Sequence, residues 1–582
     1  MLVWCVRISC APRRRSSYQD AGQIQDAGRV YYDELDLKMY HLPQGHFMII
    51  TMSQTKYIGL ALLLSIVQLS FGQILTQSNL PIVVINTNDE IPDEPKIQGF
   101  MGIISSSSEG INFIEDEYTE YQGRIGIETR GNSTQDFDKK TYSIELRTEA
   151  DQDTSVNLFG MGGEEDWIMH AMVIDKSHLR IPMSFDLFRL MGNYASKWRY
   201  VELVLNGEYR GLYLFTERIK RDDDRVDIAR LTEDDNSGDA VTGGYILRID
   251  WLFDEPEGFS SDFESQGGQK MFFQWYYPKA ENITTAQRHY IQDWMRDFES
   301  ALYADSYTND KGFHYDHYID LESFVDFFLI NELSKNADGY KLSSFVHKER
   351  DSDGGRLHAG PIWDFDQTYG VSLVCSNDDY TGWTYLQNQE GCEDLESMPL
   401  WWSRLLADPR FFAIAQQRWS AYRGDFLSDQ AVDDWITNQV TLISEPIRRN
   451  FERWDNFLGE SIWYEPEPIP EDYAAEITAL RGWIKERVAW MDTHLLTEIV
   501  TSVHDQTFPH LDVYPNPSSN FFIVAGAEHG IIRLVDVSGV EWYRAEVTTE
   551  EHVVSTANIP AGMYIVQLLT GRTTIIKKIL IH

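Results

Sequence analysis

Hydrophobic and polar residues alternate along most of the chain between residues 78 and 250, and this period of two predicts β-strands. The alternation is clear in "LPIVVIN", "GRIGIETRG", "TYSIELR" and "GGYILRID". The strongest hairpin signal is "YVELVLNGEYRGLYLFTERI", because Asn206-Gly207 between two alternating runs is the dipeptide that favours a type I′ turn. Residues 177–191 interrupt this pattern with helical spacing and a stop at Gly192.

The spacing becomes helical in the second half of the chain. Residues 284–303 and 320–336 have a period near 3.6, and Asp320 is suited to cap the second of these helices. A short hairpin follows, formed by "SSFVHKE" and "RLHAGPIWDFD". This pattern predicts that Asp364 and Asp366 lie on its second strand. Residues 400–500 are almost wholly helical in pattern.

After about residue 504 the pattern changes again, to short strands with turn signals every 8–12 residues, which is typical of a small β-sandwich. The predicted fold is α+β. One domain spans residues 78–500, with a β-rich part at about 78–280 and a helical part at about 281–500. A small all-β domain at 508–582 follows.

The segment "MSQTKYIGLALLLSIVQLSFGQ" predicts a secretory signal peptide over residues 52–72. Lys56 precedes an apolar run, and Ser70-Phe71-Gly72 forms a small-residue cleavage site. Residues 1–51 show little hydrophobic periodicity and are interpreted as a non-native upstream extension. The alternative for the apolar run is an interior helix. No second apolar run of about 18 residues follows, so we expect no transmembrane span in the mature chain.

The charge excludes one class of partner. The 582-residue chain has 50 Lys and Arg against 91 Asp and Glu, a formal net charge of −41. A protein that binds nucleic acid needs a basic face to neutralise phosphates. The composition therefore argues against nucleic acid as a partner, and an acidic chain of this kind attracts cations.

The cysteines predict a disulfide. Cys5 and Cys10 precede the predicted cleavage site, which leaves Cys375 and Cys392, 17 residues apart, in the mature chain. An exported protein with two cysteines at this separation is expected to bridge them, and two buried thiols are the alternative.

The stretch "GPIWDFDQTYG" carries the most distinctive candidate chemistry. In an extended chain Asp364 and Asp366 point to one face, while Trp363 and Phe365 point to the other. Oxygen ligands on one face suit a hard cation such as Mg²⁺. A solvated surface pair is the alternative.

Three further residues are candidates. By alternation Lys140, rather than Lys139, shares the apolar face of its strand and needs an anionic partner there; a strand-edge lysine that reaches water is the alternative. Glu217 ends an aromatic strand face and is suited to pair with Lys140, or else lies at the solvent end. Asp338 follows a helix that ends near Asn336, where an Asp often serves only a turn.

Four segments in this order resemble the CotH kinase family of atypical protein kinases: "IETRGNSTQDFDKKTYSIEL", "LVLNGEYRGLYLFTERI", "NADGYKLSSF" and "GPIWDFDQTYG". The resemblance covers roughly residues 80–500. It implies a divergent two-lobed kinase-like fold, with a β-rich N-lobe and a helical C-lobe that hold ATP and Mg²⁺, or Mn²⁺, between them.

The resemblance also implies a role for each candidate residue. Lys140 corresponds to the phosphate-binding lysine, and Glu217 to its ion-pair partner. Asp338 matches the catalytic acid that accepts the proton of a substrate hydroxyl. Asp364 matches the metal-binding acid, and Asp366 is implied as a supporting ligand or a ligand of a second metal ion.

The chain departs from the family pattern at two places. Ser343 and Ser344 occupy the region where family members often have a metal-binding Asn, and Ile181 follows Arg180 where an Asn is common. The leading hypothesis is an ATP- and Mg²⁺-dependent kinase that phosphorylates Ser or Thr of a protein substrate. The alternative is a non-catalytic pseudokinase scaffold for adhesion or glycan binding.

The tail "VYPNPSSN", "LVDVSG" and "IPAGMYIVQLLTGRTTIIKKILI" resembles the type A sorting domain of the type IX secretion system. That resemblance implies a Gram-negative bacterium, contact with the type IX machinery, passage through the periplasm, and release or attachment at the outer cell surface. An ordinary C-terminal β-sandwich is the alternative.

Overall fold

A computed structural model describes residues 75–581 apart from thirteen internal gaps, at 107–109, 132, 253–256, 266–267, 389–391, 393–397, 456, 463–464, 498–511, 526–529, 537–540, 548–550 and 571–572. The predicted upstream extension and signal peptide, together with Cys5 and Cys10, lie outside the described residues. Helices and strands both contribute extensively to the described part, which confirms the α+β class.

Seven strands form a closed barrel near the start of the described chain. They are β1 (Ile82–Thr87), β2 (Ile97–Ile104), β3 (Tyr121–Arg130), β4 (Thr141–Arg147), β5 (Asp166–His170), β6 (Trp198–Leu205) and β7 (Glu208–Glu217). The order around the barrel is β6-β7-β5-β4-β3-β2-β1, and the parallel pairing of β6 with β1 closes it. Alternate side chains such as Ile125, Ile144 and Tyr213 fill the interior.

The predicted hairpin is the link between β6 and β7. Leu205 pairs with Glu208 across a two-residue turn. Asn206 and Gly207 have φ of 51° and 80°, the left-handed values that a type I′ turn requires at both central positions. The prediction is confirmed.

A second, five-stranded sheet follows, made of β8 (Tyr245–Ile249), β9 (Gly258–Glu264), β10 (Lys270–Tyr277), β11 (Ser344–Lys348) and β12 (Leu357–Ala359). Its order is β9-β10-β8-β11-β12. The sheet joins strands from both sides of residue 280. The division of residues 78–500 into two lobes at that point therefore stays a prediction.

Helices supply most of the remaining chain up to residue 497. They are α1 (Arg180–Leu190), α2 (Thr285–Tyr303), α3 (Leu321–Ser334), α4 (Leu400–Ala407), α5 (Pro409–Arg423), α6 (Asp429–Leu442), α7 (Ser444–Arg453) and α8 (Tyr473–Thr497). Asp320 caps α3 as predicted, since its carboxylate accepts a hydrogen bond of 2.8 Å from the Ser323 amide. A single large apolar core unites α3, which is buried along nearly its whole length, with the second sheet and the other helices.

The prediction that the acid pair lies on a strand is wrong. The β11–β12 ladder ends at Ala359. Gly360 has a left-handed φ of 109°, and Pro361 has no backbone N–H to donate to a ladder. Residues 361–366 continue without a strand partner, and Asp364 itself has a φ of 54°.

The predicted disulfide between Cys375 and Cys392 is confirmed, with a Cα–Cα distance of 5.4 Å. It closes a loop that lies against α3 and α8. The Lys335 ammonium donates to the carbonyl oxygens of Asp379 and Thr381 over 2.7 and 2.6 Å. The Arg487 guanidinium donates to further carbonyls of the same loop. Two cations thus bind backbone oxygens that helices and strands do not satisfy.

The C-terminal residues form two small sheets, as predicted for a β-sandwich. The strands are β13 (Asp512–Tyr514), β14 (Phe521–Ala525), β15 (Gly530–Asp536), β16 (Glu541–Val547), β17 (Glu551–Ser555), β18 (Gly562–Thr570) and β19 (Thr573–Ile581). The sheet orders are β13-β14-β17 and β16-β15-β18-β19. Their facing side chains form a separate apolar core, which includes Phe522, Leu534 and Val566. No helix within the described residues has the length and apolarity to cross a membrane.

Candidate functional site

The acid segment that follows β12 has an apolar side and an acidic side, as the sequence predicts. Trp363 and Phe365 are 8% and 2% exposed, whereas Asp364 and Asp366 are only partly buried. The Trp363 ring packs 6.0 Å from the ring of Phe185 in α1. The two carboxylates are therefore mounted on a wall that the core holds in place.

The loop after α3 is fastened to this segment by backbone hydrogen bonds. The Tyr369 amide donates to the Ser334 carbonyl over 2.7 Å, and the Ala337 amide donates to the Gln367 carbonyl over 3.3 Å. Asp338 lies in the turn that follows, where its amide donates to the Asn336 side chain over 3.1 Å. These bonds bring Asp338 beside the acid segment.

The acids influence one another electrostatically. Loss of water and the charges of Asp364, Asp338 and Asp175 together raise the pKa of Asp366 to about 8. Loss of water also raises the pKa of Asp364, and the charge of Asp250 adds to that rise. Three acids that the sequence analysis singled out thus act on one another, and the structure adds Asp175 and Asp250.

Ser343 is part of the same site. Its hydroxyl donates a hydrogen bond of 2.6 Å to Oδ2 of Asp364, which favours the ionised carboxylate. Ser343 has a left-handed φ of 43°, and this backbone conformation directs the side chain toward the acid segment. Ser344 turns away and bonds the Leu342 carbonyl. Of the two serines in the region where family members often have Asn, Ser343 therefore contacts the acid.

The donor set fits a hard divalent cation. Such a cation prefers several carboxylate oxygens, and Asp364, Asp366 and Asp338 supply them from two segments that are hydrogen-bonded together. Loss of water and the charges of neighbouring acids both raise the pKa of Asp366, and a bound cation would relieve the part that comes from those charges. Among the residues that the structure describes, the ligand atoms of these three acids do not all lie within 4.8 Å of one another.

Another acid cluster meets that distance criterion but holds a lysine. Among the described residues, Glu164, Glu165 and Asp166 are the group of three whose ligand atoms lie within 4.8 Å. The Lys220 ammonium donates to all three, over 2.9 Å to Glu164 and 3.0 Å to Asp166. This position is therefore filled by the protein's own cation.

The prediction that Lys140 rather than Lys139 faces the core is wrong. Lys139 is 1% exposed, and its ammonium donates to the Leu212 carbonyl over 2.7 Å and to Asn450 over 2.9 Å. Lys140 is half-buried and donates to the Gln135 carbonyl. Strand β4 begins at Thr141, so its alternation does not extend to either lysine. The implied phosphate-binding role of Lys140 stays a prediction.

Glu217 is fully buried, but its partner is not Lys140. Its carboxylate accepts hydrogen bonds from the Lys197 amide over 2.7 Å and from the Tyr194 hydroxyl over 3.1 Å. The Lys197 ammonium lies 3.8 Å from its second oxygen. Among the described residues no ion pair joins Glu217 to Lys140. Its role in nucleotide binding stays a prediction.

The sequence analysis missed the residues that support the acids from remote positions. Asp175 precedes α1, and its carboxylate accepts hydrogen bonds from the Ser177 amide and the Arg180 guanidinium over 3.0 and 2.7 Å. Arg130 ends β3 beside the acid segment. The signal for Asp175 was present as Asp-x-Ser immediately before a predicted helix, which is a local turn motif. No periodic pattern marks Arg130.

Comparison with known proteins supports two parts of this description. The model of the CotH kinase protein family matches residues 127–491, which include Asp338, Asp364 and Asp366. The model of the secretion system C-terminal sorting domain matches residues 512–582. The chain is thus a secreted or outer-surface protein whose tail implies engagement of the type IX machinery.

Comparison with individual proteins adds little. No curated protein matches the chain. Among solved structures, one similar chain is PorZ, described as an essential bacterial surface component of the type-IX secretion system of Porphyromonas gingivalis. The two are 20% identical, with a TM-score of 0.12, and the match covers 12% of this chain and 11% of that chain.

Proposed function

The chain belongs to the CotH kinase protein family, and we propose that it is a secreted phosphotransferase that moves the γ-phosphoryl group of ATP to a Ser or Thr hydroxyl of a protein. The observation that carries this proposal is the convergence of Asp338, Asp364 and Asp366 on two hydrogen-bonded segments, where loss of water and then the charges of neighbouring acids raise the pKa of Asp366 to about 8. Perturbed carboxylates from separate segments are typical of a catalytic site.

The proposal assigns each acid a task. Asp364 and Asp366 would hold Mg²⁺ or Mn²⁺, and that ion supplies neutralisation of phosphate charge during transfer. The Ser343 hydroxyl keeps Asp364 oriented through its 2.6 Å hydrogen bond. Asp338 stands on the neighbouring loop and accepts the proton of the acceptor hydroxyl. Passage through the periplasm of a Gram-negative cell belongs to the same proposal.

A non-catalytic scaffold is the second candidate, and one observation favours it. Glu217, implied as the partner of the phosphate-binding lysine, accepts hydrogen bonds on one oxygen from Lys197 and Tyr194 instead. A family member that has lost this ion pair fits a role in adhesion or glycan binding.

Three acid variants test the proposal. Asp364→Ala is expected to abolish Mg·ATP binding in calorimetry and transfer of labelled γ-phosphate to the protein itself or a generic acceptor. Asp338→Ala is expected to keep binding and lose transfer. Asp366→Asn is expected to be milder than Asp364→Ala. Asp353→Ala, in an exposed turn, is the matched control.

The outcomes separate the two candidates. If the parent neither binds Mg·ATP nor transfers phosphate, the scaffold is supported. If Asp364→Ala binds Mg·ATP as the parent does, the acid pair is not the metal site and the proposal fails.

A further inference from the structure

Arg130 is an arginine beside the acid segment, and the structure shows no polar partner for its guanidinium among the described residues. It is half-buried, and among the described residues its guanidinium makes no hydrogen bond and no ion pair. Its guanidinium carbon lies 5.7 Å from the centroid of the Trp363 ring. A partly desolvated charge without a partner costs free energy, so the position calls for an anion.

A second polar side chain, the imidazole of His170, lies beside it. This imidazole is neutral, because desolvation and the charge of Arg130 lower its pKa to about 3. His170 ends β5, and its ring centroid lies 5.3 Å from that of Trp363. Its Nε2 is buried and has no hydrogen-bond partner. Arg130 pairs with Thr141 on β4, and Met169 pairs with the next residue of that strand. Arg130 and His170 therefore lie at the same level of the barrel and share the face opposite its apolar interior.

Arg248 and Lys279 lie against the ring of Tyr276 in the second sheet, and Arg218 interacts with the same side chain. The Arg248 guanidinium carbon lies 5.8 Å, and the Lys279 ammonium 5.1 Å, from the centroid of the Tyr276 ring. Arg218 lies close enough to influence both Arg130 and Lys279. Desolvation lowers the pKa of each of these two groups, and the charge of Arg218 lowers it further. Like charges gathered in this way repel one another unless an anion joins them.

Acidic residues offset only part of this charge. Arg218 lies 3.7 Å from Asp166, and Arg248 lies 3.3 Å from Asp250. The Asp166 carboxylate is shared with Lys220. Asp364 acts on Arg130 only through space, without a hydrogen bond. An anion with several charges would complete the set.

Both lysines of the Lys139-Lys140 pair have partners elsewhere in the chain. Lys139 is buried and donates to the Leu212 carbonyl and to Asn450, and Lys140 directs one hydrogen bond of its ammonium to the Gln135 carbonyl. We propose that Arg130, assisted by His170, Arg218, Arg248 and Lys279, binds the oligophosphate of the nucleotide in place of Lys140. This inference rests on the proposed function, because Asp364 would hold the metal ion next to the same phosphates.

The arrangement has a physical logic. An arginine presents a planar fork of donors that bonds phosphate oxygens in pairs, and a ring behind it fixes its orientation. Trp363 provides that ring and is itself the neighbour of Asp364. A single rigid segment thus positions the acid for the metal ion and the guanidinium for the phosphates.

Binding measurements on the mature chain test the proposal without relying on catalysis. The probes are sodium tripolyphosphate, Mg·ATP and phosphoserine, each titrated calorimetrically into the parent, Arg130→Gln, Lys140→Gln and the exposed control Arg199→Gln. Loss of a charge-assisted pair of hydrogen bonds predicts a fall of about 10- to 100-fold in affinity for tripolyphosphate and Mg·ATP in Arg130→Gln. Lys140→Gln and Arg199→Gln are expected to match the parent.

The outcomes distinguish this inference from the proposed function. If the parent binds tripolyphosphate through Arg130 but does not bind Mg·ATP, the anion site stands and the kinase proposal fails. If Mg·ATP binds and Lys140→Gln, not Arg130→Gln, loses affinity, the inference is overturned while the kinase proposal survives. Phosphoserine that binds as tightly as tripolyphosphate also overturns it, since the site would then not require an oligophosphate.

A second variant tests the same proposal if Arg130→Gln does not fold. Lys279→Gln alters a side chain at the exposed rim of the same group and is expected to lower tripolyphosphate affinity about threefold. An unchanged affinity in this variant, in buffer of low ionic strength, counts against the cation group as a whole.

Discussion

Arg180 joins three parts of the chain behind the acid cluster, and replacing it tests what holds that cluster in place. One guanidinium nitrogen lies 2.7 Å from Asp175 and 2.8 Å from Glu476 of α8. Its Nε donates over 2.9 Å to the carbonyl of Thr368, two residues after Asp366. The perturbation is Arg180→Met, which retains most of the side-chain volume and removes the charge.

The magnitude follows from the burial of the three ions. Asp175 is fully buried, Arg180 is 3% exposed and Glu476 is 2% exposed. Removal of the arginine leaves two carboxylates in the interior without a cation. Breaking a buried pair in this way costs about 3–5 kcal/mol, because the remaining charge stays desolvated. Protonation of one carboxylate limits the loss, so we expect a value within this range rather than the sum over two pairs.

The assay measures thermal and urea unfolding of four forms of the mature chain: the parent, Arg180→Met and two further variants. Arg448→Met removes an exposed arginine that pairs with Glu445, and a surface pair of this kind contributes at most about 1 kcal/mol. The triple variant Arg180→Met/Asp175→Asn/Glu476→Gln neutralises all three ions and is expected to recover much of the lost stability.

Two results would refute this reasoning. If Arg180→Met costs no more than Arg448→Met, the buried ions do not determine stability. If the triple variant is less stable than Arg180→Met alone, the cost comes from lost packing and not from unpaired charge. A loss of Mg·ATP binding that accompanies Arg180→Met and returns in the triple variant supports the further idea that these ions position the segment after Asp366.

Three other predictions follow. Desolvation raises the pKa of Glu299 to about 7, so its contribution to stability is full below about pH 4.5 and is lost as the pH rises through 7. In urea unfolding, the free energy of unfolding of Glu299→Gln is expected to exceed that of the parent by at most about 3 kcal/mol at pH 8 and to match it at pH 4.5. Equal unfolding curves for the two proteins at both pH values would contradict this. The mature chain is expected to show no reactive thiol before reduction, and reduction of Cys375–Cys392 to lower stability by roughly 3 kcal/mol; two thiols that label without reductant would contradict the bridge. Lys139→Glu is expected to lower the melting temperature of the barrel strongly, because a carboxylate would face the Leu212 carbonyl. Lys140→Glu is expected to change the melting temperature little. Similar melting temperatures for the two variants would contradict the assignment of Lys139 as the buried lysine.

Features whose causes are local could be predicted from the sequence. The Asn206-Gly207 turn and the Asp320 cap depend on two to four neighbouring residues, and both form as expected. The disulfide follows from export and from the absence of any other cysteine in the predicted mature chain. In each of these cases the physical cause is contained within a short segment or in a count.

Features whose causes are remote could not be predicted in this way. Alternation assigned the wrong lysine because β4 begins one residue after Lys140, and because the partner of Lys139, Asn450, lies 311 residues away. Asp175 and Arg130 reach the acid segment only through the fold of the barrel. The acids themselves could be identified from the sequence, but the groups that shift their pKa values could not.

The negative net charge of the chain repels a nucleotide, whereas the cations of the proposed site would attract it. Which effect is larger depends on how far each charge lies from the nucleotide. The excess of 91 acidic over 50 basic residues repels a polyanion on approach. At physiological ionic strength the screening length is about 8 Å, so acids far from the site contribute little. In the proposed site Arg130 and Lys279 would act on the nucleotide at contact distance, where screening is weak, and a divalent cation bound to Asp364 would offset the charge of that carboxylate. A strongly acidic protein can therefore hold an anionic ligand, provided that the metal ion and the cation group act together.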